Sequence, residues 1–117
     1  MSLLLLMLAP LITADGVNIG KVHRECTDRA ARAILQSSRT DEQVADYAMA
    51  KCRHLEPRLK EGLDLSWRRD RTGKVSSSPS NLSKQMTKES WGDLLKAKRD
   101  RLIEDVHKAR EYLRKRT

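Results

Sequence analysis

The residues of this sequence best suited to chemistry are two cysteines, each with a histidine nearby. His23 lies three residues before Cys26, and His54 lies two residues after Cys52. These residue types fit a disulfide between the cysteines, a four-ligand zinc site, or two buried free thiols in a cytosolic protein. We expect the disulfide, with no bound metal or cofactor. Cys52 and His54 would not share a helical face, and the paired spacings typical of zinc sites do not occur.

The segments that carry the cysteines have the apolar spacing of two amphipathic helices. Ser37 to Thr40 interrupts the pattern, and Thr40-Asp41-Glu42-Gln43 has the sequence of a capping box, which predicts a helix start at Thr40. The first helix, within residues 17–36, presents a stripe of Val22, Cys26, Ala30, Ala33 and Ile34. The second presents Val44, Ala48, Cys52, Leu55 and Leu59.

Folding these two helices antiparallel about Arg39 brings the cysteines opposite each other. The same fold pairs Ala30 with Ala48, Ala33 with Ala45, Ile34 with Val44, and Ile19 with Leu59. Small side chains beside the cysteines let the backbones approach to the Cα separation of about 4.4–6.8 Å that a disulfide needs. Closing the loop contributes roughly 3–4 kcal/mol to stability in the chain-entropy model. The sequence therefore predicts an all-α fold built on a disulfide-linked antiparallel helical hairpin.

The chain begins with an apolar run, Leu3 to Ile12, followed by Thr13-Ala14. This run is about half as long as a bilayer span and is typical of the apolar region of a secretory signal peptide. We expect residues 1–14 to be that signal, cleaved after Ala14; a short buried N-terminal helix is the alternative. Disulfides persist outside the reducing cytosol, so an even number of cysteines fits export. The predicted location is secreted or periplasmic.

Between the hairpin and the C-terminus the pattern weakens. Pro57 is expected to end or bend the second helix, and residues 58–71 to add a short helix, so that the hairpin domain covers residues 15–71. Residues 72–86, which are rich in serine, are predicted to be a flexible linker. Asn81-Leu82-Ser83, inside this linker, has the pattern of an N-glycosylation site.

The last predicted element is a long basic amphipathic helix over residues 87–117, capped by Thr87. Its apolar stripe, which Lys98 interrupts, consists of Trp91, Leu95, Leu102, Val106, Ala109 and Leu113. The pairs Glu104–Lys108 and Glu111–Lys115 have the i,i+4 spacing that supports a helix. The pattern does not decide whether this helix packs on the hairpin, pairs with another copy or waits for a partner.

The charge is concentrated in the second half of the chain. The sequence has 24 basic and 16 acidic residues, for a net charge of +8, and nearly all of the excess follows Arg53. Such a surface suits an anionic partner: an acidic protein, a cell-wall polymer or a membrane surface. The predicted contact residues are Arg68, Arg69, Arg71, Lys96, Lys98, Arg99, Arg101, Arg110, Arg114, Lys115 and Arg116. Because acidic residues are interleaved with them, a solvated, salt-bridged helix face is the alternative.

We expect no enzyme, since the three histidines fall on separate segments and no catalytic motif is present. The sequence instead predicts a small exported helical protein that contacts an anionic partner through its basic C-terminal helix. A cytoplasmic nucleic-acid-binding protein with an uncleaved N-terminal helix is the alternative. It is less favoured because aromatic residues are only 3% of the chain and no zinc-finger spacing occurs.

Overall fold

In a computed structural model that describes residues 10–69 and 72–116, the chain is all-α, as the sequence predicts. Its described residues form four α-helices: α1 (Ile19–Ala33), α2 (Asp41–Lys51), α3 (Glu56–Arg68) and α4 (Asn81–Arg116). A 3-10 turn, Arg53–Leu55, joins α2 to α3. Within this part of the chain, none of the helices combines the length and the apolarity that a bilayer span requires.

A disulfide between Cys26 and Cys52 links α1 to the end of α2, which confirms the predicted hairpin. The two Cα atoms are 6.1 Å apart, and Cys52 and the neighbouring Ala48 are fully buried. Because both sulfur atoms are used in this bond, neither is left as a zinc ligand or a free thiol. The zinc site with His23 and His54 and the pair of free thiols are therefore wrong.

The start of α2 is also as predicted. Thr40 Oγ1 accepts a hydrogen bond from the backbone N–H of Gln43 at 3.1 Å, and Gln43 Oε1 accepts one from the N–H of Thr40 at 2.9 Å. This reciprocal pair is a complete capping box, which satisfies two donors that a helix start leaves without partners.

The buried face of α1 differs from the predicted stripe. It consists of Ile19, His23, Thr27 and Ala31. Val22 and Ala33 are exposed, so Ala33 does not join the core opposite Ala45. The predicted stripe assumed a hairpin of two helices. In the bundle α1 packs against α3 and α4 as well as α2, so a different face is buried.

Pro57 begins a helix instead of bending one. α2 ends at Lys51, and after the 3-10 turn Pro57 occupies the first turn of α3, where its missing N–H leaves no hydrogen bond unmade. Leu59, predicted on the second helix of the hairpin, therefore lies on α3. It is fully buried in one core cluster with Ile19, as the predicted pairing requires.

α4 begins at Asn81, inside the segment predicted to be a linker. Ser80 Oγ accepts from the N–H of Ser83 at 3.0 Å, and Ser83 Oγ accepts from the N–H of Ser80 at 2.9 Å. This is the capping-box arrangement with serine in place of the usual glutamate or glutamine. Thr87 lies within the helix, where its hydroxyl donates to the carbonyl of Ser83 at 2.8 Å, so it is not the cap. Between α3 and α4 the structure describes Arg69 and residues 72–80, none of which is helical.

α4 runs the length of the described bundle, which measures 54 × 26 × 22 Å. A helix of its 36 residues is about 54 Å long. Its first half shares a core cluster with α1 and α3: Leu11, Ile19, Leu59, Leu63 and Leu94. Its second half shares another with α1 and α2: Ala31, Val44, Ala45, Ala48, Leu102 and Val106. The long helix is thus docked on the hairpin.

Residues 11–18, here called the N-terminal clip, are part of the fold. Leu11 is only 4% exposed, and its carbonyl accepts from the N–H of Ile19 at 2.8 Å. Arg58 of α3 donates to the Asp15 carboxylate at 2.7 Å. Leu11 and Thr13 belong to the predicted signal peptide, so a chain cleaved after Ala14 would lack two buried residues of the bundle. The rest of that prediction, residues 1–9, lies outside the described residues.

Candidate anion-binding site

Several of the basic residues predicted to bind an anion hold the bundle together. Arg110 joins α4 to the turn between α1 and α2. Its Nη1 donates to the Asp41 carboxylate at 2.9 Å and to the carbonyl of Arg39 at 2.7 Å, and its Nε donates to the carbonyl of Leu35 at 2.9 Å. Carbonyls near the end of a helix carry partial negative charge, so a guanidinium there stabilises the turn.

Arg99 makes a second link between α4 and α2. Its Nε donates to Asp46 Oδ1 at 2.7 Å, and this hydrogen bond holds the pKa of the Asp46 carboxyl below its usual value. Lys96, on the same helix, instead pairs with Asp100 one turn along at 3.1 Å, and its side chain is largely exposed.

The two arginines at the end of α3 meet the connection to α4 in different ways, Arg68 through its side chain and Arg69 through its backbone. Arg68 forms an ion pair with Asp64 at 3.4 Å and donates to the carbonyl of Ser76. Arg69 forms an isolated antiparallel bridge with Val75 through its backbone. Arg71, the next predicted contact residue, lies outside the described residues.

Four charged side chains form a cluster between α1 and α4, which we call the α1–α4 niche: Arg24, Asp28, Lys98 and Arg101. Arg101 donates to Asp28 at 3.2 Å and also to Asp105 at 3.3 Å, and Arg24 approaches Asp28 at 3.9 Å. In the niche, two of the three cations, Arg24 and Arg101, thus share Asp28 as their common carboxylate.

Lys98 is the member of the niche without an ion pair or hydrogen bond in the described part of the chain. It stands in the apolar stripe of α4 between Leu95 and Leu102, and it is half-buried. Burial, with the positive charges of Arg101 and Arg24, lowers the pKa of its ammonium to about 8, although Asp28 opposes this. Lys98 is thus held among like charges in a partly desolvated position, which costs stability.

His23 belongs to the same region and is fully buried on α1. Neither ring nitrogen has a hydrogen-bond partner in the described residues. Burial, together with the positive charges of Lys98 and Arg101 and the nearby His54 ring, lowers the pKa of the imidazole to about 4. Buried polar groups are normally hydrogen-bonded, so an imidazole with two unpartnered nitrogens is an exception that calls for an explanation.

The last turn of α4 forms a second basic surface, the basic tip, made of Tyr112, Arg114, Lys115 and Arg116. Tyr112 is 59% exposed, and the Arg116 guanidinium lies 5.4 Å from its ring centroid and donates to its hydroxyl at 2.7 Å. Arg114 reaches Glu111 at 2.9 Å with a side chain that is still 73% exposed. Lys115 is exposed as well.

The other two histidines lie apart from His23. His54 is exposed in the 3-10 turn. His107 Nδ1 is 3.1 Å from the Asp41 carboxylate that also receives Arg110. In residues 10–69 and 72–116 there is no group of three or more side chains placed to hold a metal ion.

Sequence reasoning missed the α1 side of the niche. Arg24 and Asp28 have ordinary i,i+4 spacing, and their position opposite Lys98 and Arg101 depends on the register between α1 and α4, which no local pattern reveals. The signal that was present is Lys98 itself, a lysine at a core-facing position of an otherwise apolar stripe.

Comparisons of this chain with protein-family models, with curated proteins and with solved structures find no match.

Proposed function

We propose that this protein is a small exported, non-enzymatic helical domain that binds an anionic partner through the basic tip of α4. The partner is an acidic protein, a cell-wall polymer or a membrane surface. The observation that carries the proposal is the tip itself: three exposed cations beside an exposed tyrosine, at the end of the longest helix. Tyrosine and arginine are the residue types that most often dominate the binding energy of protein interfaces.

The rest of the bundle gives this surface a rigid support. Arg110, one turn before Arg114, is fixed by the Asp41 carboxylate and by carbonyls of the turn between α1 and α2. A surface that is ordered before binding loses little conformational entropy on association. The helix backbone that carries the tip is therefore ordered before the partner binds.

Export is supported by the disulfide, which is compatible with an oxidising extracellular or periplasmic location. The N-terminal clip limits how an export signal would be removed. Since Leu11 is a core residue, we propose that any cleavage precedes it, instead of following Ala14.

The test is binding of the full chain to immobilised poly-L-glutamate, anionic lipid vesicles and duplex DNA at physiological salt. We expect the triple variant R114Q/K115Q/R116Q to bind poly-L-glutamate or the vesicles about tenfold more weakly than the unchanged chain.

The matched control K84Q/K96Q/K108Q removes the same charge from exposed positions of the same helix and is expected to bind within about twofold of the unchanged chain. Equal losses in both variants would show a diffuse charge effect and overturn the proposal. A preference for DNA over both other probes would favour the cytoplasmic nucleic-acid-binding alternative.

A further inference from the structure

We propose that the α1–α4 niche is a binding site for one tetrahedral oxyanion, a phosphate or sulfate group, held by Arg24, Lys98 and Arg101 above His23. This site is separate from the basic tip and does not depend on the function proposed for the tip. The shared chemistry is that of the oxyanion, whether it is a free inorganic ion or the end of a phosphorylated small molecule.

Positive charge exceeds negative charge in the niche. Arg24 and Arg101 both reach Asp28, at 3.9 and 3.2 Å, and the unpaired Lys98 lies beside them. Asp28 alone does not neutralise three cations, and the other carboxylate nearby, Asp105, is bound to Arg101 at 3.3 Å. An anion placed at Lys98 supplies the missing negative charge.

Lys98 occupies a position in α4 that an apolar residue would fill. The side chains before and after it in the apolar stripe of α4 are Leu95 and Leu102, and Leu102 is fully buried. An apolar residue at this position would continue the stripe without any cost of desolvation. A lysine instead brings an ammonium to the edge of the core, where a low local dielectric strengthens its attraction for an anion.

The imidazole of His23 lacks hydrogen-bond partners among the described residues. A neutral imidazole has one N–H donor and one acceptor nitrogen, and both nitrogens of His23 are buried without partners in the described residues. We place the oxyanion where it accepts from that N–H, directly or through one ordered water, because Lys98 and Arg101 are the charges that act most strongly on the His23 ring. The same anion removes the penalty of a buried, unpaired donor.

The donor types favour a tetrahedral oxyanion. Guanidinium groups present several N–H donors in a planar fork that matches phosphate and sulfate oxygens, and an ammonium adds a point charge with three donors. The niche combines two guanidinium groups with one ammonium.

The experiment is titration of the full chain with inorganic phosphate and, separately, with sulfate, with ionic strength held constant by sodium chloride. Binding is followed by two-dimensional amide NMR and by the ring signals of His23. We expect saturable shifts centred on residues 23–28 and 98–101, and a rise in the pKa of His23 when the anion is bound, since a nearby negative charge favours the imidazolium.

Lys98→Met is expected to weaken phosphate binding at least about tenfold. Arg24→Gln, a change at an exposed side chain, is the second variant and is expected to weaken binding in the same direction. Lys96→Met is the matched control, because Lys96 is on the same helix but exposed and paired with Asp100. It should bind like the unchanged chain.

The proposal is overturned if phosphate and sulfate give no saturable shifts beyond those of chloride, or if Lys98→Met and Arg24→Gln both bind as the unchanged chain does. Because R114Q/K115Q/R116Q leaves the niche intact, it should retain phosphate binding. Loss of phosphate binding in that variant would place the anion at the tip and overturn the proposed niche site. Failure of the tip to bind poly-L-glutamate or vesicles would overturn the function proposed for the tip and would leave the niche site unaffected.

Discussion

The two halves of the bundle are closed in different ways. The stapled half, where α1 and α2 meet the second half of α4, has a core dominated by alanine and valine, and the Cys26–Cys52 disulfide and arginine ion pairs close it. The clip half, where the N-terminal clip and α3 meet the first half of α4, is filled by Leu11, Ile19, Leu59 and other large side chains. A covalent link and ion pairs can thus replace buried apolar volume in a highly charged chain that has few large apolar side chains.

The largest effect should come from opening the stapled half. We expect the double variant C26A/C52A to lose about 3–4 kcal/mol of unfolding free energy, because the disulfide no longer restricts the unfolded chain. Urea unfolding followed by circular dichroism measures this. Reductant should shift the unchanged chain by a similar amount and leave the variant unaffected. Identical urea midpoints for the oxidised and reduced chain would mean that the disulfide does not close this half.

Shortening the single side chain of Leu11 should destabilise the clip half. Leu11→Ala is expected to cost about 2–4 kcal/mol, because it leaves a cavity beside Ile19 and Leu63 in a half that depends on filled volume. Leu82→Ala is the control, since Leu82 is 67% exposed, and it should change stability by less than about 0.5 kcal/mol. Equal urea midpoints for the two variants would show that Leu11 of the N-terminal clip does not contribute to the core. A chain that begins at Asp15 should be destabilised at least as much as Leu11→Ala.

The stability of the bundle should depend on pH through His23, which lies on α1 between Ile19 of the clip half and Ala31 of the stapled half. Burial lowers its pKa from 6.5 to about 4, so between these values the unfolded chain takes up a proton that the folded chain does not. Stability is therefore complete above pH 6.5 and falls as the pH drops, by about 2–3 kcal/mol at pH 4.5. Urea unfolding from pH 7 to 4.5 measures this slope. His23→Gln should flatten it and His54→Gln should keep it, whereas a slope that survives in His23→Gln contradicts the assignment.

The smallest expected effects compare two helical glycines. A Cβ at Gly62, in the clip half, would lie 2.8 Å from Ile19 Cγ2 and 3.2 Å from the backbone carbon of Leu11, so Gly62→Ala should cost about 1–3 kcal/mol. A Cβ at Gly92 would meet nothing within 4 Å, so Gly92→Ala should stabilise α4 by about 0.5–1 kcal/mol. Thermal unfolding checks both signs. A Gly62→Ala chain as stable as the unchanged one would show that the clip half is loosely packed.

The sequence predicted what is local. The capping box at Thr40, the two cysteine-bearing helices and the apolar positions Leu102 and Val106 of the last helix follow from spacings within one element. The disulfide followed from a match between two such patterns. These features were enough to predict the all-α fold class and the disulfide-linked hairpin.

The sequence did not predict what depends on contacts between distant elements. The buried face of α1 differs from the predicted Val22 stripe because α3 and α4 pack against it as well as α2. Leu11 is a core residue because Gly62 lets the N-terminal clip approach α3. The early start of α4 was missed for a local reason, since serine at the third helical position is a weaker signal than glutamate or glutamine. The niche could not be predicted without the register of α1 against α4, and Lys98 was the one signal of it within the sequence of a single helix.

The disulfide-linked bundle with its N-terminal clip is tested most simply by mass spectrometry. The protein is recovered from the cells that make it, denatured and alkylated without any reductant, and its mass is measured. We expect no alkylated cysteine, because Cys26 and Cys52 are joined. We also expect an N-terminus that precedes Leu11. Two alkylated cysteines would contradict the stapled bundle, and an intact chain that starts at Asp15 would contradict the N-terminal clip.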